Sequence, residues 1–397
     1  NYSYNDLALT YLNLEDSTLM SRTNFSLRNN NFYSNISYKE IIKNKWTVFS
    51  SASYSKNIDH VNIGSDKLVS KTDVTQGRIT VTRNLGELTL IRFGGELQKP
   101  VYNTSFNQYV IDKDELYEAA YTEADIYITK KLVSRLGGRL EHSKLLDKYN
   151  IAPRASVAYK VSTNNQFSFA YGDFFQLPDQ RYIAVLNNLD FEKATHYILN
   201  FQHLDDKRTF RIEGYYKDYT HLLKIIPDTN TNGSGYAKGF EIFLRDKKTI
   251  RYGDYWISYS YLDTKRNYLN YPESIIPTFA SKHTFSVVFK YFFPKPSISA
   301  GITYVYATGR TYYTPLFDPD KTKDYNILSL TFNKLTSIKK HFTVIVASIG
   351  NVLGFENVYT YNYSSDGKRK EGVGATQLRS FFVGIFISIG EDRNEEE

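Results

Sequence analysis

Apolar side chains recur at every second position along most of this chain, and that period restricts the fold more than any other feature of the sequence. A repeat of two belongs to the strand, whose successive side chains leave opposite faces. In RSFFVGIFISIG, Phe381, Val383, Ile385, Ile387 and Ile389 share one face, while Ser380, Phe382, Gly384, Phe386 and Ser388 share the other. Ile298, Ala300, Ile302, Tyr304 and Tyr306 line up in the same way, as do Phe285, Val287, Phe289, Tyr291 and Phe293. Phe210, Ile212, Gly214 and Tyr216 make a further row.

Alternation alone does not name the solvent, because a soluble sandwich also buries one face of each strand. Three further features name it. The runs last about 9 to 12 residues, enough to cross a bilayer at a tilt, whereas soluble strands are mostly about 5 to 6. The chain carries 35 Tyr, 26 Phe and 2 Trp, and they crowd toward the run ends as interfacial girdles require. Short turns at 84–87, 162–165, 205–207 and 293–296 alternate with long loops at 57–71, 99–116, 173–195, 264–280, 309–323 and 351–379. The reading is all-β: a transmembrane antiparallel outer-membrane β-barrel over residues 1–390, followed by a charged tail at 391–397. About nineteen strands are expected, the first at Ser3–Leu12 and the last at Arg379–Gly390. Because such barrels use even numbers, an odd count places at least one more strand upstream of Asn1.

Arg78, Arg92, Glu96, Arg135, Arg139, Glu141, Arg211, Glu213, Glu241 and Arg245 all fall opposite the apolar faces. An Arg facing lipid near the midplane would cost about 2 to 4 kcal/mol. These ten residues are therefore expected to face a polar lumen, holding a plug or lining water.

Other classes drop out quickly. No run reaches the roughly 20 apolar residues of a membrane-spanning helix, and mean hydropathy is −0.44. The absence of Cys removes thiol catalysis and zinc–thiolate sites. The excess of 49 Lys+Arg over 42 Asp+Glu is mild and dispersed, so no nucleic-acid partner is expected. The seven His show no metal-ligand spacing, and no catalytic residue, metal or cofactor is expected. Asp318, Asp320 and Asp324 lack the Gly and Glu of a calcium loop and are balanced by Lys321 and Lys323, which points to a solvated loop.

IAPRASVAYKVSTNNQFSFAYGDFFQLPD (Ile151 to Asp179) resembles a segment of TonB-dependent outer-membrane receptors: a Pro-Arg opens a strand, and an aromatic-Gly strand end leads into a Gln- and Pro-containing loop. GYAKGFEIFLR (Gly235 to Arg245) is similar to another strand of that family. NVLGFENVYTYNYS followed by RSFFVGIFISIG resembles the closing hairpin of its Bacteroidota version. The resemblance implies a 22-stranded barrel around an N-terminal plug that is absent from this chain, and active import of a scarce nutrient such as a siderophore. The partners it implies are outer-membrane lipid, TonB through the region upstream, the receptor's own plug, a small nutrient and, at the loops, a surface lipoprotein. A departure is the tail EDRNEEE, where many outer-membrane proteins finish on an aromatic residue.

Two loops join aromatics to Arg: Phe174, Phe175, Gln176, Arg181 and Tyr182 in one, and Arg310, Tyr312 and Tyr313 in the other. That mixture suits a ring-bearing, sugar-like or anionic ligand, and it equally suits an aromatic girdle with Arg on lipopolysaccharide phosphates. A passive porin-like channel and a barrel that anchors a partner protein are the alternatives to a receptor. A soluble propeller would need a repeat of about 20 to 50 residues, and none is visible.

Overall fold

The period of two becomes antiparallel pairing almost everywhere. The computed structural model describes the chain except for residues 16–20, 44, 87, 184, 185, 187, 376 and 389–397, so the expected tail at 391–397 lies outside the described residues. The first strands are β1 (Tyr2–Leu12), β2 (Arg22–Ile42), β3 (Trp46–Ile63), β4 (Asp66–Asn84), β5 (Thr89–Phe106), β6 (Tyr109–Asp114), β7 (Tyr117–Tyr127) and β8 (Leu132–Ser143). Next come β9 (Lys148–Lys160), β10 (Asn165–Gln176), the one-turn helix α1 (Gln180–Ile183), β11 (Glu192–Leu204), β12 (Arg208–Lys224), β13 (Asn230–Asp246), β14 (Gly253–Asn267) and β15 (His283–Phe293). The chain continues through β16 (Ile298–Ala307), β17 (Thr311–Tyr313), β18 (Pro319–Lys321), β19 (Tyr325–Ile338), β20 (His341–Gly350), β21 (Val358–Tyr363), β22 (Lys370–Gly374) and β23 (Ser380–Ile387).

Nineteen of these strands form one sheet, and β17–β18 and β21–β22 form separate hairpins. Each wall strand pairs with the next in sequence, except that β6 folds back on the outer end of β5, Val101–Phe106. β5 meets β7 through Thr89–Gln98 instead. About nineteen strands were expected and nineteen share the sheet, but one of them, β6, lies in a stretch expected as loop and does not cross the wall, which has eighteen passes. That corrects the parity argument: β1 rises from the short-turn rim and β23 descends to it, so an odd pass count no longer asks for a strand before Asn1.

Two connections expected as loops are largely strand. Residues 57–71 form the top of the β3–β4 hairpin, closed at Gly64 (φ +59°) and Ser65. Residues 99–116 extend β5 and add β6. In the first of these the apolar phase breaks, Ile58 sharing a face with His60 and Asn62 while Val61 and Ile63 share one with Asp59, yet the pairing continues unbroken. β3 has 18 residues, about 60 Å at roughly 3.3 Å each. Even tilted, that exceeds the roughly 30 Å hydrocarbon layer, so the hairpin stands above the membrane.

A single-layer sheet has no conventional core. Its exposed large hydrophobics, among them Ile79, Phe93, Leu97, Leu140, Ile151, Phe169, Leu199 and Ile302, share the face opposite the charged rows. The sheet rolls far enough for its first and last loops to meet. Glu15 accepts hydrogen bonds from Ser365 N–H (2.7 Å) and Oγ (2.6 Å), and Arg369 Nε donates to the Leu14 carbonyl (2.7 Å). Among the described residues β1 pairs only with β2, β23 pairs only with β20, and Ser34–Ile42 of β2 pair only with β3.

Gly239 in β13 shows how tightly the wall is drawn. A Cβ there would sit 1.9 Å from the Tyr261 carbonyl oxygen and 2.9 Å from the Tyr215 hydroxyl. Gly239→Val is expected to push the strands apart and lower the yield of folded barrel, read as loss of the fast-migrating band on an unheated denaturing gel. An unchanged band would show that the wall yields at this point.

Candidate functional site: a cavity at the long-loop rim

All ten expected polar-face residues share one face of the sheet. Register places Arg78 opposite Glu96, Arg92 opposite Glu123, Asp125 opposite Arg135, and Glu213 opposite Glu241. Six of the ten form two ionic clusters. Arg139 reaches Glu96 at 2.7 Å and Glu141 at 2.5 Å, and Arg78 joins Glu96 at 3.1 Å. Arg92 pairs with Glu123 and lies 3.0 Å from Asp125, which also meets Arg135 at 2.5 Å. Arg245 is held by Asp254 at 2.6 Å. Arg211, Glu213 and Glu241 make no ion pair among the described residues; Glu213 accepts only from Asn200 at 3.3 Å. Facing carboxylates repel, so Glu213 and Glu241 present an acidic step with no cation partner among the described residues.

The same face continues upward to the long loops. Gly172, His196, Lys217 and Ala237 are register partners, and the rows above them carry Phe174, Tyr219 and Arg266. Phe174, Phe175, Gln176, Arg181 and Tyr182, grouped from sequence, all line one cavity of about 660 Å³. That volume lies within the usual range for small-ligand sites.

The loop between β10 and β11 is fixed by its own small core. Ile183, Leu189 and Leu223 are buried and pack with Leu177, Leu186 and Leu269. Asp179 starts α1, accepting from Arg181 N–H at 2.9 Å, and pairs with the Arg181 guanidinium at 3.0 Å through both oxygens. That guanidinium holds the Asp179 carboxyl below the usual carboxylate range. Lys193 is held by Asp173 at 2.9 Å and lies over the Phe175 ring. Gln176 donates to Glu192 at 2.7 Å, and Leu223 N–H donates to the same carboxylate at 3.0 Å.

Sequence reading missed the strongest group here. Arg266, near the end of β14, lies with its guanidinium 4.3 Å from the Tyr219 ring centre and 5.4 Å from that of Phe279. Its Nε is buried and has no hydrogen-bond partner. The signal was present, since Ser260, Leu262, Thr264 and Arg266 share one face, but Thr264 and Arg266 fall in a stretch read as loop.

Arg310, Tyr312 and Tyr313 do not join that cavity. Arg310 lines a neighbouring one of about 470 Å³ with Phe279, Tyr325 and Tyr359. Tyr312 is buried between loops, its ring 4.8 Å from Tyr361 and its hydroxyl donating to Asp320. Tyr313 donates to the Ile276 carbonyl at 3.1 Å and accepts from Ile276 N–H at 2.9 Å. Asp324 accepts from the Tyr306 hydroxyl at 2.7 Å and from Gly309 N–H at 2.8 Å. No group of three potential metal ligands occurs among the described residues.

The Tyr312 hydroxyl also holds the Asp320 carboxyl below its ordinary range. A depressed folded-state value means that the contact is fully present above the usual carboxylate range of about 4 and fades as pH falls through the lower folded value. Tryptic cleavage at Lys321 and Lys370, taken relative to an unstructured peptide at the same pH, is expected to be unchanged on acidification to about pH 5, whereas Asp320→Asn raises it at neutral pH. Cleavage that climbs already at about pH 5 would detach Asp320 from loop order.

One rolled antiparallel sheet, apolar on one face, charged on the other and bearing a cavity under its long loops, defines an outer-membrane β-barrel. Residues 1–352 match the family described as TonB dependent receptor-like, beta-barrel, and the chain belongs to that family. Its members are outer-membrane proteins that act as receptors or transporters. Among solved structures, the chain is similar to the closed form of the ferric-catecholate import receptor Fiu from K12 E. coli, at 12% identity and TM-score 0.71 over 92% of this chain and 64% of that one. It is also similar to the FrpB iron transporter (F5-1 variant) from Neisseria meningitidis, at 11% identity and TM-score 0.75 over 97% and 69%. The siderophore receptor PiuA from Acinetobacter baumannii aligns at 14% identity and TM-score 0.70 over 98% and 71%. The chain thus spans slightly less than two thirds of Fiu. No curated protein matches it.

Proposed function

We propose that the chain is the barrel, residues 1–390 with a short charged tail at 391–397, of a receptor that captures a scarce nutrient at the cell surface and imports it with energy delivered through TonB. The observation that carries this reading is the coincidence of the family match over residues 1–352 with an aromatic and cationic cavity at the long-loop rim. Iron in a siderophore is the substrate class we favour, because several structures with this fold are named for iron or siderophore uptake. The polar face then lines the lumen, and its unpaired Arg211, Glu213 and Glu241 are the groups left for a plug from upstream. The apolar face meets outer-membrane lipid. The closing hairpin favours the Bacteroidota version of the receptor, in which a surface lipoprotein over the loops is a natural partner.

The test is growth on iron supplied as ferric siderophores, in cells producing the full-length receptor with and without a working TonB. Uptake that needs both the receptor and TonB is the expected result. Uptake without TonB, joined to steady conductance in planar bilayers, would replace the receptor with a passive channel.

A further inference from the structure

We propose that three neighbouring short turns form a docking surface for anionic phospholipid in the membrane's periplasmic leaflet; this uses the barrel and its orientation alone and does not depend on what the receptor imports. The cation excess is dispersed along the sequence but gathered in space. The short connections 43–45, 85–88, 128–131, 161–164, 205–207, 247–252, 294–297 and 339–340 hold eleven Lys and Arg against three Asp and Glu, a net +8, whereas the whole chain carries +7. Short turns of such barrels face the periplasm, at the level of the lipid headgroups.

The charge is uneven around the rim. The turns joining β13 to β14, β15 to β16 and β19 to β20 are consecutive in the wall, and they hold Lys247, Lys248, Arg251, Lys295, Lys339 and Lys340 with no Asp or Glu. All six are exposed, and none makes an ion pair among the described residues. The carboxylates at the strand ends beside them are taken: Asp246 by Arg208 at 2.9 Å and by Lys248 and Thr249 N–H, Asp254 by Arg245. Turns two strands apart stand about 10 Å from one another. That is close to the Debye length of about 8 Å, so their fields add.

Backbone geometry and neighbouring residues say what the charge is for. Lys339 (φ +49°) and Lys340 (φ +70°) fill both places of a two-residue turn whose left-handed backbone suits Asn-Gly. Two lysines there forgo the locally favoured residues, which points to a partner outside the turn. Phe293 and Ile338, 43% and 44% exposed, end the lipid-facing rows of β15 and β19 just before Lys295 and Lys339. A cation one or two residues beyond an apolar side chain immersed in lipid lies at the headgroup phosphates. An acidic protein or the cell-wall polymer would meet the turns from below and gain nothing from Phe293 and Ile338.

The test is native mass spectrometry of the full-length receptor, released from detergent holding equal phosphatidylglycerol and phosphatidylcholine. Wild type is expected to retain phosphatidylglycerol at least about tenfold over phosphatidylcholine, and Lys247→Gln/Lys248→Gln/Lys339→Asn/Lys340→Gly to lose most of that preference. Asn-Gly favours the turn, so the loss does not reflect a weakened hairpin, and the fast-migrating gel band checks folding. Lys43→Gln/Lys45→Gln/Lys130→Gln/Lys131→Gln removes equal charge elsewhere on the rim and should change the preference less than about threefold. Equal retention of both lipids by wild type, or equal loss in both quadruple variants, would overturn the proposal. A preference that ignores all eight substitutions, while the first four abolish binding to isolated cell-wall sacculi, would overturn it in favour of that polymer. Removal of the acidic segment 391–397 should leave the preference unchanged; a rise of about tenfold would show that this segment, rather than lipid, covers the turns.

Discussion

Arg139→Ala is expected to cost the folded barrel about 3 kcal/mol or more, the range found when one partner of a buried ion pair is removed. Arg139 holds two carboxylates at once, Glu96 at 2.7 Å and Glu141 at 2.5 Å. The three side chains are only 16%, 11% and 6% exposed. Glu96 would keep Arg78, at 3.1 Å. Glu141 would keep no cation, and its second oxygen is already buried without a hydrogen-bond partner. An isolated buried carboxylate must either protonate or draw in water, and both oppose folding. Glu141→Gln in the Arg139→Ala background removes the stranded charge and should recover about half of the loss, because the two sites share one interaction. Urea unfolding in lipid vesicles, followed by emission of Trp46 and Trp256, gives both numbers. A loss under about 1 kcal/mol for Arg139→Ala would mean that water already fills this cluster.

Phe191→Ala should have an effect of similar size in a different place. Phe191 is 2% exposed, and its ring meets that of Phe175 edge-on at 6.4 Å. Truncating a buried Phe typically costs about 3 to 5 kcal/mol. Here the cost should fall on the loop between β10 and β11, because Phe191 precedes β11 and lies outside the wall strands. The barrel transition should stay where it is, while trypsin cuts at Arg181 much faster. With Phe175 no longer braced, binding at the cavity should fall at least about tenfold. Unfolding of loop and barrel together would refute the separation. Lys148, paired with Asp190 at 2.7 Å, still ties the base of the loop to β9 in this variant.

The wall was legible from residue type and period alone, since each strand must show lipid one face and polar surroundings the other. Arg78, Glu96, Arg139 and Glu141 could be assigned to one face without knowing their neighbours, because the period of two fixes the face. Strand ends were not legible. Beyond the membrane the apolar demand disappears, and His60, Asn62 and Asn103 pair in strands with no hydrophobic signal. The cavity was half legible for a related reason. Phe174, Phe175 and Tyr182 lie close together in sequence, but Tyr219 and Arg266 reach the site from β12 and β14 through register. The surroundings of Tyr312 were not legible at all, because its neighbours Asp320, Tyr361 and Lys370 come from β18, β21 and β22, and together they pin two hairpins to each other.

The one-sided pairing of β1, β23 and the lower part of β2 has a practical corollary. From Ser34 to Ile42 the outer edge of β2 has no strand partner among the described residues, and Ile36 and Ile41 beside it are 73% and 63% exposed. Such an edge is a template for recruiting another strand. If none is offered by the same polypeptide, a second copy can supply one, and copies joined edge to edge need not stop at two. Material prepared as these 397 residues alone should therefore drift into oligomers held by β-sheet pairing. A peptide that alternates apolar and polar residues, added in excess, should cap the edge and keep the protein monodisperse.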